Sequence, residues 1–322
     1  MKRQRNVNLL LMLVLLVAVG QMAQTIYIPA IADMARDLNV REGAVQSVMG
    51  AYLLTYGVSQ LFYGPISDRV GRRPVILVGM SIFMLATLVA VTTSSLTVLI
   101  AASAMQGMGT GVGGVMARTL PRDLYERTQL RHANSGFNCY LLMLIGGLAG
   151  IAAFEACSGV LMGAVLGLSS MTVSILFILP IPAAFFGAWF AGRPNKRFST
   201  LMWQSVICCL LAGLLMWIPD WFGVMNVWTL LVPAALFFFG AGMLFPLATS
   251  GAMEPFPFLA GTAGALVGGL QNIGSGVLAS LSAMLPQTGQ GSLGLLMTLM
   301  GLLIVLCWLP LATRMSHQGQ PV

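Results

Sequence analysis

The stretch FNCYLLMLIGGLAGIAAFEA, residues 137–156, contains a single charged side chain, Glu155. A hydrocarbon core about 30 Å thick is crossed by roughly 20 residues of α-helix, because each residue adds about 1.5 Å. Lipid offers no hydrogen-bond partners to the backbone, so an apolar run of this length crosses a bilayer as a helix. The stretch therefore predicts an integral membrane protein.

The rest of the chain has the same character. Its 322 residues are 57% hydrophobic and 8% charged, whereas a soluble domain carries roughly 25% charged residues. The predicted fold class is an all-α membrane bundle of ten transmembrane helices. Apolar length and breaks place the spans near residues 7–28, 41–63, 75–93, 96–119, 137–157, 170–191, 200–218, 226–249, 260–284 and 293–312.

The basic residues lie mostly between the spans and are divided unequally between the two sides of the bilayer. One side holds the termini and the segments 64–74, 120–135 and 192–199, with 13 Lys and Arg, against two, Arg36 and Arg41, on the other. Cytoplasmic loops accumulate Lys and Arg. We therefore predict that both termini are cytoplasmic, and that the net charge of +7 reflects orientation in a lipid bilayer instead of nucleic-acid binding.

Few residues could support catalysis or metal binding. The two histidines, His132 and His317, fall in a loop and in the C-terminal tail, and the five cysteines lie in or beside apolar runs. No spacing matches a zinc site or a disulfide framework. The sequence predicts neither an enzyme nor a metal or cofactor site.

One loop combines charge and glycine in an unusual way. After the second span, residues 64–74 read GPISDRVGRRP, with one carboxylate among three guanidinium groups and two spaced glycines. The excess of positive charge inside explains the arginines but not the aspartate or the glycine spacing. The pattern resembles the G-x-x-x-D-R-x-G-R-R signature of the major facilitator superfamily.

The resemblance implies that this loop acts as a conformation-sensitive clasp at the inner face. In the family the arginines bridge to an acidic partner at the end of the fourth span. Asp123 in the sequence Arg-Asp-Leu occupies that place here, although simple charge balance is the alternative. The implied gating residues are Gly64, Asp68, Arg69, Gly71, Arg72, Arg73 and Asp123.

Other elements are similar to the drug:proton antiporter branch of this family. Residues 25–31, TIYIPAI, resemble the end of its first span, and Gln106-Gly107 resembles its R-x-x-Q-G element. The arginine of that element is replaced by Ser103, which puts proton coupling by that route in doubt. The resemblance implies a multi-pass protein of the bacterial inner membrane that exchanges hydrophobic small molecules for protons and works as a monomer.

Many transporters consist of internal repeats, and the two halves of this chain are unequal. Residues 187–197, GAWFAGRPNKR, form a degenerate copy of the 64–74 loop, with Ala191 in the place of Asp68. If each copy follows the second span of its half, residues 1–135 hold four spans and residues 136–322 hold six. We therefore predict a twelve-helix architecture that lacks two spans at the junction of Ser135 and Gly136. A natural ten-helix relative is the alternative.

The substrate cavity is predicted from aromatic and polar side chains within the spans. A cavity for bulky apolar compounds needs aromatic walls and few polar groups. Tyr52 and Tyr56 share one helix face, and Phe177, Ile181 and Phe185 form an i, i+4, i+8 stripe. The predicted lining is Gln21, Gln24, Tyr52, Tyr56, Phe177, Ile181 and Trp228. The alternative for the aromatic residues is packing or an interfacial belt.

Ionisable residues inside a membrane are costly and mark function. The candidates for proton coupling are Asp33, just past the first span, and Glu155, near the outer end of the fifth. Interfacial positions are the alternative for both. The predicted function is therefore multidrug efflux by alternating access, driven by protons and impaired by the missing spans. The alternative is a transport-inactive membrane scaffold or internally deleted fragment.

Overall fold

The computed structural model of the chain describes residues 31–124, 136–193, 197–254, 260–282, 285 and 288–317. The helices within these ranges, in chain order, are α1 (Ile31–Asp37), α2 (Glu42–Val70), α3 (Arg72–Thr92), α4 (Leu96–Leu124), α5 (Phe137–Val160), α6 (Ser170–Ile178), α7 (Ile181–Ala191), α8 (Phe198–Trp221), α9 (Val227–Met253), α10 (Ala260–Ser282) and α11 (Gly291–His317). A short π-helix, Leu161–Val165, continues α5. The described part of the chain is all helical, as the apolar pattern predicts.

Seven segments of the described helices are long and apolar enough to cross a membrane. They are Arg72–Thr92, Leu96–Met116, Phe137–Val165, Ser170–Ala191, Phe198–Trp221, Val227–Met253 and Gly291–Met315. Helices α2 and α10 also coincide with predicted spans but are not among these seven. The first predicted span, 7–28, lies outside the described residues, so the total of ten remains a prediction.

One predicted span is interrupted. The segment 170–191 was expected to form a single helix, but it consists of α6 and α7 with a break at Leu179 and Pro180. Proline lacks the N–H that an α-helix needs and disfavours helical geometry in the residue before it. Pro182 then falls in the first turn of α7, where a missing N–H costs nothing.

The helices after residue 136 pack around α5. Helix α5 contacts α9, α10 and α11, α8 packs between α9 and α11, and α7 packs on α9. Phe237 of α9 fills the space beside Gly150 of α5, where a Cβ atom would collide with its ring. Phe154 stacks on Phe177 with ring centroids 6.4 Å apart, which joins α6 to the same core.

Helices α2, α3 and α4 form a second group, and α10 connects it to the first. Helix α10 packs against α2, α4 and α5. A Cβ atom at Gly57 of α2 would lie 2.6 Å from the Ile273 nitrogen of α10. Small residues let helix backbones approach closely, which stabilises helix pairs where lipid removes the hydrophobic driving force. Helices α2 and α10 thus pack with their backbones close together.

Candidate functional site

Tyr52 and Tyr56 form the centre of the candidate site. Their rings stack with centroids 5.9 Å apart and planes inclined by 12°, so the predicted shared face is correct. Tyr52 is buried and Tyr56 is half-buried. Tyr52 packs with Leu53 of α2 and with Ala152 and Ala156 of α5. The pair therefore lies where the group formed by α2 to α4 meets α5.

A chain of hydrogen bonds connects this pair to α4 and α3. The Tyr52 hydroxyl lies 2.7 Å from Thr110 Oγ1, and the Thr110 hydroxyl donates to the Gln106 carbonyl oxygen at 2.9 Å. Gln106 Nε2 in turn donates to Thr87 Oγ1 at 2.9 Å. Buried polar groups in a membrane need such partners. This series of hydrogen bonds holds the Tyr52 ring in place and provides partners for the buried Gln106.

Gly107, next to Gln106, allows the close contact of α4 with α2. A Cβ atom at Gly107 would collide with the Tyr52 carbonyl oxygen and with Thr55 Oγ1. The Thr55 hydroxyl also crosses between the helices, donating to the Ala104 carbonyl oxygen at 2.7 Å. The Gln106-Gly107 element therefore combines one polar link with one close backbone approach.

Ser103 is the position at which the resemblance to the antiporter branch predicts an arginine. Its side chain is fully buried, and its hydroxyl makes no hydrogen bond within the described part of the chain. A serine cannot supply the charge of an arginine at this depth. The structure therefore gives proton coupling no cationic group at this position.

Helix α10 contributes three buried polar residues that the sequence analysis did not single out. Gln271, Asn272 and Ser275 are all buried. The signal was present in the sequence, since these residues are polar positions in the middle of a span rich in glycine and alanine. Their spacing puts them on neighbouring positions of one helix face. They lie on α10, which packs against α2, α4 and α5.

The remaining predicted cavity residues are not brought together. Phe177 is buried in the core, whereas Phe185 is 74% exposed, and the break at Pro180 separates Phe177 from Ile181. The predicted i, i+4, i+8 stripe is wrong, because it assumed one continuous helix. Ile181 is half-buried in the first turn of α7 and packs against the core.

Trp228 lies in the first turn of α9 and is 70% exposed. The Asn226 side chain caps this helix by accepting from the nitrogens of Trp228 and Thr229, both at 2.9 Å. An exposed tryptophan at a helix end agrees with the interfacial-belt alternative. Gln21 and Gln24 lie outside the described residues.

The loop that carries the family signature is shorter than predicted. Helix α2 continues past Gly64 and Pro65 to Val70, and Gly71 alone separates it from α3. Gly71 has φ +96° and ψ 157°, a backbone conformation that residues with a Cβ atom rarely adopt. The second glycine of the motif is therefore a turn residue, while Gly64 is a buried helical residue.

The arginines of this motif differ in their surroundings. The Arg72 guanidinium donates to the Ser67 hydroxyl, which itself donates to the Gly64 carbonyl oxygen at 2.9 Å. Arg69 and Arg73 are exposed. The side chains of Asp68 and Asp123 lie outside the described residues, although their backbones belong to α2 and α4.

The two candidates for proton coupling occupy different environments. Asp33 lies in the first turn of α1, paired with Arg36 at 2.6 Å and accepting a hydrogen bond from Ser170 at 2.7 Å. Glu155 lies within α5 and is 8% exposed. Its neighbours in sequence, Phe154 and Ala156, are both buried. Among the described residues, no group of three or more His, Cys, Asp or Glu side chains could hold a metal ion.

Comparisons with known proteins identify the relatives of this chain. Residues 13–158 match the model of the Major Facilitator Superfamily. The multidrug resistance protein D of Escherichia coli (strain K12) is 82% identical over 394 aligned positions, with all of both chains covered. A chloramphenicol resistance protein of Pseudomonas aeruginosa is 29% identical over 134 residues, covering 41% of this chain and 32% of that protein. The solved structure of the multidrug transporter EmrD from Escherichia coli matches with 81% identity and a TM-score of 0.43, covering 94% of this chain and 100% of that one.

The full-length alignment also shows that this chain lacks residues that the E. coli relative has. It extends over 394 positions, whereas this chain has 322 residues, so 72 positions have no counterpart here. An identity of 82% over 394 positions corresponds to about 322 identical positions, which is essentially the whole of this chain. The two sequences thus differ mainly by residues that this chain lacks. Identity of this extent over the whole of both chains, together with the family model that matches residues 13–158, shows that the chain belongs to the major facilitator superfamily.

Proposed function

We propose that this chain is a multidrug efflux transporter, which exports hydrophobic or amphipathic compounds across the bacterial inner membrane by alternating access. The observation that carries the proposal is the stacked pair Tyr52–Tyr56, held by Thr110 where α2, α4 and α5 meet. Aromatic faces with a few polar groups suit bulky apolar compounds of varied shape. The name of the E. coli relative, multidrug resistance protein D, agrees with this substrate class.

Protons are the proposed driving force, and Glu155 is the better of the two candidate carriers. It is almost completely buried within a span, whereas Asp33 is paired with Arg36 on an exposed short helix. An ionisable side chain buried inside a membrane is energetically costly, so its presence indicates that its charge has a function. The antiporter branch exchanges drugs for protons, and the substitution of Ser103 for its arginine leaves an acidic group as the remaining route.

The signature loop is the proposed clasp of the transport cycle. Gly71 makes the tight turn between α2 and α3, and Arg72 is fastened to Ser67 at the end of α2. In this proposal Asp68 and Asp123 pair with Arg69, Arg72 or Arg73 at the inner face when the transporter is open to the outside. Breaking and remaking these pairs accompanies the rocking of the helix groups.

The halves of the protein are proposed to be residues 1–135 and 136–322, with two spans missing between them. The gap of 72 positions is large enough for two spans of roughly 20 residues and their loops. Removing two spans preserves the orientation of all later ones. In this chain, the side of the first half that these two spans would cover contacts lipid or the second half instead. We therefore expect this chain to couple export to protons less effectively than a twelve-helix protein.

Transport by reconstituted vesicles tests the proposal. The chain is compared with a version in which 72 residues of the E. coli relative are restored between Ser135 and Gly136, and with empty vesicles. A fluorescent hydrophobic dye should accumulate in both protein samples under a proton gradient, more slowly for the short chain. The accumulation should disappear when an uncoupler is added.

The alternative, a transport-inactive scaffold or internally deleted fragment, is favoured by the size of the gap. It predicts that vesicles containing the short chain behave like empty vesicles while the restored chain transports. Failure of the restored chain to transport would remove the efflux proposal itself. Equal, uncoupler-sensitive rates for both chains would contradict the proposed loss of coupling.

A further inference from the structure

Helix α7 buries one side against α9 and exposes the other. A Cβ atom at Gly187 would collide with the Phe239 carbonyl oxygen of α9, so the two helix backbones are in close contact on that side. The side chains of Phe185, Phe186 and Trp189 are 74%, 62% and 61% exposed. Because each residue turns the helix by about 100°, these three lie about 100° to 160° away from Gly187 around the helix. The exposed side of α7 is therefore aromatic.

This aromatic side of α7 ends at an arginine. The Cζ atom of the Arg193 guanidinium lies 4.0 Å from the centroid of the Trp189 ring and 5.4 Å from that of Phe190. Arg193 is exposed, and its side chain forms no ion pair or hydrogen bond within the part of the chain that the structure describes. Stacking on a ring uses only the flat face of a guanidinium, whose five N–H groups extend in its plane. These N–H groups can therefore donate to an acceptor outside the protein.

The sequence around Arg193 supplies no negative charge. No Asp or Glu occurs in residues 156–219, whereas residues 192–199 hold three Lys and Arg. In the family signature that this loop resembles, Asp68 lies among the arginines, but Ala191 takes its place here. The distribution of basic residues predicts that this loop faces the cytoplasm, beside the lipid headgroups. An anion that binds Arg193 is therefore not a side chain of its own loop.

We infer that Arg193 and Trp189 bind the headgroup of an anionic phospholipid in the inner leaflet, with an acyl chain along Phe185 and Phe186. A phosphodiester offers two oxygens to the guanidinium, which binds phosphate groups in a bidentate manner. The indole ring suits the boundary between headgroups and hydrocarbon, because it is apolar and carries one polar N–H. A headgroup without an ammonium is favoured, since the loop is already cationic and basic residues near a membrane surface attract anionic lipids. The site does not depend on the proposed transport activity.

Quenching of tryptophan fluorescence measures which lipid contacts Trp189. The full chain is reconstituted into vesicles with equal mole fractions of phosphatidylglycerol and phosphatidylcholine, in which the acyl chains of one or the other lipid are dibrominated. Subtracting the signal of a Trp189→Phe variant isolates the fluorescence of Trp189 from that of the other tryptophans. Quenching should show that phosphatidylglycerol binds beside Trp189 roughly fivefold more strongly than phosphatidylcholine, the factor expected for one arginine near the membrane surface.

Arg193→Gln removes the positive charge and should reduce this preference to less than about twofold. Arg73→Gln is the matched control, because it removes an exposed arginine of the other loop, on the same predicted side of the membrane. The preference at Trp189 should be unchanged in this control. Equal quenching by the two lipids in the unaltered chain would overturn the inference. A preference that persists in Arg193→Gln, or that falls equally in Arg73→Gln, would also overturn it, because net charge and not Arg193 would then attract the lipid.

Discussion

The hydroxyl of Tyr52 lies 2.7 Å from Thr110 Oγ1 and joins α2 to α4 inside the membrane. Thr110 has one hydroxyl hydrogen, and this hydrogen is directed to the Gln106 carbonyl oxygen at 2.9 Å. Tyr52 is therefore the donor of the bond between the helices. The two residues are 58 positions apart, so the bond depends on the packing of the two helices.

This relationship predicts a measurable coupling between the two side chains. Tyr52→Phe and Thr110→Val each remove one partner of the bond. Their combined effect on the free energy of unfolding should be smaller than the sum of the separate effects, by about 0.6 to 1.7 kcal/mol. The measurement is a double-mutant cycle with reversible unfolding in mixed micelles.

A control cycle pairs Tyr52→Phe with Thr172→Val, on the exposed first turn of α6. The effects of substitutions at independent sites on the free energy of unfolding add to within about 0.3 to 0.5 kcal/mol. The coupling measured in the control cycle should therefore be no larger than this. A coupling between Tyr52 and Thr110 that is no greater than the control value would mean that the bond contributes nothing to the site.

Gly71 is predicted to be intolerant of a side chain. Gly71→Ala puts a Cβ atom on a residue with φ +96°, and strain of this kind costs of the order of 1 to 3 kcal/mol. The midpoint of thermal unfolding in micelles should fall. Gly192→Ala is the control, because Gly192 follows α7 with φ −78°, and the nearest atom to its new Cβ would be 3.6 Å away. If both alanine variants unfold at the same temperature, the turn does not need glycine.

Neutral isosteres distinguish the two acidic candidates. In the chain with 72 residues restored, Glu155→Gln should lose most of the uncoupler-sensitive transport, because the group proposed to carry the proton cannot ionise. Its binding of tetraphenylphosphonium should persist. Asp33→Asn should retain transport, since Asp33 serves an ion pair with Arg36 and a bond to Ser170. The opposite result, with Asp33→Asn inactive and Glu155→Gln active, would reverse the assignment.

Reporter fusions test the predicted orientation. With 13 basic residues on one side and two on the other, alkaline phosphatase fused after Val322 should be inactive, because the C-terminus is predicted to be cytoplasmic. The same enzyme fused after Gly223, in the exposed turn between α8 and α9, should be active. Activity of the C-terminal fusion would contradict the orientation. The bond between Asp33 and Ser170 agrees with the prediction that both residues lie on the outer side.

The sequence alone determined the class of the protein and most of its helices. Hydrogen bonds within a helix join neighbours in the chain, and lipid imposes one length on every span, so an apolar run such as 137–156 specifies its structure locally. The signature at 64–74 identified the family for the same reason, because it is a contiguous pattern. The break at Pro180 was not predicted, although its cause is equally local, because Pro180 and Pro182 flank Ile181.

Only the tertiary structure decided which side chains form the site. The pairing of Tyr52 with Thr110 depends on how closely α2 approaches α4, and the packing of α2 on α10 depends on a similarly close approach. That approach depends on glycines such as Gly57 and Gly107, whose partners lie far away in the sequence. Periodicity shows which face of a helix is apolar, but in a membrane both lipid and protein neighbours are apolar. The sequence therefore could not distinguish the exposed Trp228 from the buried Phe177, because contacts between distant helices make that difference.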